Sequence, residues 1–137
     1  MTPSAVVDSS IVLRWFVRDP WSDAAIAAAD RYRLIAPAFL KVEIANALRS
    51  QVRFSSMALD MALRHLEGLR STVSLFDDDP LLPAALRLAA DRDHAIYDCV
   101  YIALAMREAV PLVTADMKLF RKFADVPALQ ILTPETL

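Results

Sequence analysis

The sequence predicts an α/β domain with a mainly parallel sheet, and three observations carry this expectation. Short apolar runs rich in Val, Ile and Leu alternate with longer segments of helical periodicity. The runs lack the apolar–polar alternation of a half-wet sheet, which marks strands buried on both faces. The chain has 137 residues, 56% hydrophobic and 23% charged, enough for one ordered domain over 1–137 and too few for two.

The elements follow in order. Ala5-Val6-Val7, ending in Asp8, reads as a buried strand, and 11–17 as a brief helix that stops before Pro20. Ser22 is placed to cap an alanine-rich helix reaching about Tyr32. Leu34-Ile35-Ala36, with Pro37 behind it, is a second strand. Residues 39–53 carry apolar side chains at 40, 44, 47 and 48, a helical stripe. Ser55 or Ser56 would cap another helix ending near Gly68. Residues 72–76 are β-branched and apolar enough for a third strand. Asp77-Asp78-Asp79-Pro80 then reads as a solvated loop, with Asp79 a candidate cap for a helix over 81–92. Residues 97–109 form the clearest helix, ended by Pro111. Leu112-Val113-Thr114, a short helix over 118–123, and Gln130-Ile131-Leu132 complete the pattern.

The scarce residues exclude whole classes of chemistry. Glycine occurs once, at Gly68, so neither a Walker loop nor a dinucleotide fingerprint can be written. The single Cys99 rules out an internal disulfide and any Cys-x-x-Cys site, and is expected as a small buried apolar group. His65 and His94 match no metal motif and read as surface or helix-end residues. The longest apolar run, 99–106, falls far short of the roughly 20 residues a membrane-spanning helix needs. No signal segment opens the sequence, so a soluble, cytoplasmic protein is expected. A net charge of −2 excludes a general polycation, so an anionic substrate must be held by local charge.

Four acids stand out against this frame. In parallel sheets ligands bind beyond the carboxyl ends of the strands, and Asp8 and Asp116 follow two strands there. Taken singly, each could be no more than a turn residue or a helix cap. Asp98 shares its helical stripe with Tyr101, Ile102 and Ala105, where a lone carboxylate is costly to desolvate. Glu43 flanks the stripe of Leu40, Ile44 and Ala47, with Asn46 one turn further on. Carboxylates gathered at one sheet edge repel by roughly 4 kcal/mol per pair at about 4 Å and an effective dielectric near 20. With no histidine or cysteine cluster for zinc, an all-oxygen site suits Mg²⁺ or Mn²⁺ and favours phosphodiester hydrolysis.

These residues carry a family resemblance over essentially the whole chain. Val6-Val7-Asp8-Ser9-Ser10, Glu43-Ile44-Ala45-Asn46-Ala47-Leu48, 97–105 around Asp98, and 113–120 around Asp116 resemble, in order and approximate spacing, a PIN-domain ribonuclease of the VapC type. That family comprises the toxin halves of toxin–antitoxin pairs. The resemblance implies a parallel five-stranded sheet and a Mg²⁺- or Mn²⁺-dependent endoribonuclease. It implies that Asp8, Glu43, Asp98 and Asp116 bind one or two ions, with the Ser9 and Thr114 hydroxyls in support. It further implies a homodimer inhibited by a VapB-type antitoxin lying along the active-site groove.

Beside the resemblance, Arg14 with Arg18 and Arg49 with Arg53, at i, i+4 spacing, are candidate RNA contacts. Lys118, Arg121 and Lys122 are further candidates. The apolar excess adds an expected self-association face or partner groove. Two alternatives share these features: a receiver-like Mg²⁺-binding signalling domain, and a similar nuclease acting on DNA.

Overall fold

Strand β1 (Ser4–Val7) is the centre of the molecule. In the computed structural model, which describes residues 1–137, it is flanked by β2 (Arg33–Pro37) and β4 (Leu112–Val113). β3 (Val73–Phe76) and β5 (Ile131–Leu132) form the edges, in the order β3-β2-β1-β4-β5, with every pairing parallel. Ala5, Val6 and Val7 are all fully buried, which is why the sequence shows an unbroken apolar run there.

Seven helices cover the sheet: α1 (Ser9–Phe16), α2 (Ser22–Arg31), α3 (Leu40–Phe54), α4 (Leu59–Thr72), α5 (Leu82–Arg92), α6 (Ile96–Glu108) and α7 (Met117–Phe123). Helix α6 packs on β1, β2 and β4 and is backed by α5. Every residue from Cys99 to Ala105 is buried, so the middle of this helix is apolar all round, and Asp98 sits in its first turn. No helix is long and apolar enough to cross a membrane.

All the expected elements form, but several ends differ. Ser22 is the first residue of α2 rather than its cap. Its buried hydroxyl accepts from the Asp19 N–H and donates to the Val17 carbonyl, tying the preceding turn instead. Neither Ser55 nor Ser56 caps α4, which begins at Leu59 because Ser56 takes a left-handed conformation (φ 62°) that holds the chain outside the helix. Gly68 lies inside α4 and does not end it. Asp79 opens a 3₁₀ turn (Asp79–Leu81) without capping by its side chain. The bonding falls to Asp77, which accepts from the Asp79 N–H, and to Asp78, which accepts from the Phe39 N–H at 3.2 Å and so ties the loop after β3 to the start of α3.

Candidate active site

The pairing of Val7 with Val113 brings the ends of β1 and β4 side by side, so Asp8 and Thr114 emerge together. Asp8 caps α1, accepting the Ser10 and Ile11 N–H groups at 3.1 and 3.4 Å on Oδ1. The Ser10 hydroxyl also donates to Oδ1, and the Thr114 hydroxyl donates to Oδ2. The same two hydroxyls accept the Ala115 and Asp116 N–H groups, at 2.8 and 3.0 Å, so the turn after β4 is fastened to the cap of α1. The carboxyl of Asp8 is raised from 3.8 to about 6, chiefly by burial, against the pull of the Ser10, Thr114 and Ile11 hydrogen bonds and with a push from Asp98.

Glu43 stands in the first turn of α3 and accepts a hydrogen bond from the Tyr101 phenol of α6. Burial raises its carboxyl from 4.5 to about 7; the Tyr101 bond opposes this, and Asp8 and Asp98 add repulsion. Burial and the neighbouring acids push the Tyr101 phenol far above its ordinary value, so it remains a donor. Asp98, its side chain 32% exposed, faces His94 Nε2 at 2.7 Å. Cys99 is buried, with its thiol pushed up to about 11 by burial and Asp98, which fits the inert apolar group expected.

Asp8, Glu43 and Asp98 therefore share one electrostatic neighbourhood. Asp116 sits at the same sheet edge, linked to Asp8 through the Thr114 hydroxyl, but its own carboxylate caps α7 by accepting the Lys118 and Leu119 N–H groups. No lysine or arginine forms an ion pair with any of the four; the nitrogen that faces them is His94 Nε2, beside Asp98. The donors are all oxygen and their charge is unbalanced, which fits a hard divalent cation. No three acidic, histidine or cysteine side chains stand close enough to cage one ion. Mg²⁺ tolerates such dispersion, since it keeps several waters and takes only one or two carboxylates directly.

The supporting residues are redistributed. Ser9 makes no side-chain hydrogen bond; Ser10 reaches Asp8 instead, because the second helical position offers its N–H and hydroxyl back to the cap while the first is rotated away by about 100°. Thr114 contacts Asp8 as expected. Asn46 is exposed, one turn beyond Glu43, with no side-chain partner. Arg14 bonds to Asp19 and the Ser10 carbonyl, both at 2.8 Å, and Arg18 pairs with Asp23 at the surface. Arg49 and Arg53 rim an apolar groove of about 490 Å³ between α3 and α4. Lys118 and Arg121 are exposed and outside the ion pairs, whereas Lys122 donates to the Asp93 carbonyl. Tyr101 and His94 were not legible as site residues, since each meets its acid only through tertiary packing or a turn. The available signal was their i, i+3 and i, i+4 spacing around Asp98.

The sequence matches the PIN domain over residues 5–126. It is 34% identical over 80 residues to Exonuclease VapC9 of Pyrobaculum aerophilum, a stretch covering 58% of this chain and 59% of that one, less than two thirds of the relative's length. The fold superposes on the crystal structure of PAE2754 from Pyrobaculum aerophilum with a TM-score of 0.71 and 26% identity, covering 99% of this chain and 87% of that chain. It superposes also on a toxin–antitoxin complex from Klebsiella pneumoniae with a TM-score of 0.70 and 17% identity, covering 98% and 100%.

Proposed function

Since the chain belongs to the PIN-domain family, we propose that it is a VapC-type toxin: a divalent-cation-dependent endoribonuclease of the cytoplasm, restrained by a VapB-type antitoxin. One observation carries the reading. Asp8, Glu43 and Asp98 lie within electrostatic reach of one another at the carboxyl edge of a parallel sheet, two of them with raised pKa values, and no lysine or arginine pairs with any of them. A site so built is a poor home for bare charges and a good one for a cation.

Asp8, Glu43 and Asp98 would hold Mg²⁺ or Mn²⁺, one ion or two, with Asp116 as the fourth acid at the rim. Such a cation, when bound, lowers the pKa of water and offsets charge on the scissile phosphate. Ser10 and Thr114 fix the orientation of Asp8 through both its oxygens. Tyr101 fixes Glu43, favouring its ionised form. Lys118 and Arg121, exposed beside Asp116, are the cations best placed to steady a phosphate backbone.

The apolar groove between α3 and α4, floored by Leu48, Val52, Leu63 and Leu66, supports an antitoxin segment as partner. The exposed Leu82, Leu86 and Tyr97 offer a second apolar surface, which supports a homodimer. The receiver-like alternative has no support: β3 is an edge strand, and the aspartates after it serve backbone N–H groups.

Purified protein should cut RNA with Mg²⁺ or Mn²⁺, stop on addition of EDTA, and be silenced by Asp98→Asn. Opening of a circular RNA identifies an endonuclease, and a single-stranded DNA of matching sequence tests the sugar requirement. Full activity in Asp98→Asn would sink the assignment.

A further inference from the structure

No lysine or arginine side chain holds these acids: Asp8 is held by two hydroxyls and Glu43 by a phenol. Asp98 completes the set. His94, in the turn between α5 and α6, meets Asp98 Oδ2 through Nε2 at 2.7 Å, and because a carboxylate only accepts, Nε2 carries the proton. The imidazole side chain is 11% exposed, and its ring stands edge-on to Phe123 of α7 at 5.1 Å and 90°. Its backbone is equally fixed. The His94 N–H donates to the Ala89 carbonyl, the Asp93 carbonyl accepts from Lys122 Nζ, and Arg92 reaches both the Lys122 carbonyl and Asp125. The turn is thus clamped to α7, the helix that Asp116 caps. Without His94, Asp98 would be a partly exposed first-turn acid free to change rotamer.

We propose that His94 is a positioning residue for Asp98, holding that carboxylate in one orientation, ready for the cation. The inference rests on the metal reading above, and its test separates the two. Mn²⁺ affinity is measured by electron paramagnetic resonance on the full chain as wild type, His94→Gln, His94→Leu and His94→Phe, with thermal melting of each. Leu and Phe keep apolar packing on Phe123 but remove the donor, whereas Gln retains an N–H near the position of Nε2. The donor-less variants should bind Mn²⁺ 10- to 100-fold more weakly, and Gln should recover most of the loss. Phe covers the case in which Leu fails to fold. Wild-type affinity in Leu or Phe overturns the positioning role, as does a Gln variant as weak as they are. A wild-type protein that takes up no Mn²⁺ overturns the metal reading itself, and the positioning role with it.

Discussion

At the scale of single residues, the site depends on donors that aim carboxylates. Thr114→Val preserves shape and removes the hydroxyl on Asp8 Oδ2, leaving one oxygen of a buried acid without that partner. Loss of a hydrogen bond to a charged group should cost about 2 kcal/mol, read as a lowered urea midpoint. Tyr101→Phe acts on chemistry more than on stability. The phenol lowers the Glu43 pKa, so its removal pushes that carboxyl further above about 7. A larger share of Glu43 is then protonated at neutral pH, and the acid limb of the kcat/KM profile should move to higher pH. An unmoved limb would separate Glu43 from the reaction. The acids were legible in the sequence because strand ends and helical stripes place a carboxylate by arithmetic alone. Ser10, Tyr101 and His94 were not, since each acts through cap geometry or through a neighbour that only folding supplies.

At the scale of elements, the order of strands and helices was legible because a buried parallel strand and a helical stripe leave different apolar patterns. Their ends were not, because this chain builds ends without the usual residues. Ala109 closes α6 at φ 54°, and Ser56, Asp93 and Ala128 also take positive φ, while the one glycine lies inside α4. Glycine at a helix end signals a stop, and here that rule misled for Gly68. Two exchanges should therefore each stabilise the fold. A Cβ at Gly68 meets nothing within 4 Å, so Gly68→Ala gains helix propensity of about 1 kcal/mol. Ala109→Gly relieves a left-handed alanine, with a net gain of about 0.5–1 kcal/mol after the added freedom of the unfolded chain. Each should raise Tm by a few degrees, and the two should add, since they lie in different helices. A fall in Tm for Gly68→Ala would mean that α4 is covered by a partner at that point.

At the scale of the whole molecule, the slight acidity of the chain matters less than where the acid is gathered. The native state holds the Asp8 proton to about pH 6 against 3.8, and the Glu43 proton to about pH 7 against 4.5. Native protein thus binds more protons than the unfolded chain across this window, and stability falls as pH rises through it. The penalty is absent below the lower values and complete once both carboxylates are ionised. For buried Asp8 a shift of about two units corresponds to about 3 kcal/mol; Glu43, in part solvated, adds less. Metal-free protein should accordingly melt several degrees higher at about pH 5 than at about pH 8. A cation that binds only the folded state adds stability in proportion to its occupancy, and it competes with protons for the same oxygens. Mn²⁺ or Mg²⁺ should therefore raise Tm strongly at about pH 8 and little at about pH 5, flattening the pH dependence, and Asp8→Asn should flatten it without metal. Differential scanning calorimetry at both pH values, with and without the ion, reads all of this directly. Equal metal effects at the two pH values would place the ion elsewhere, on acids whose protonation does not change between them.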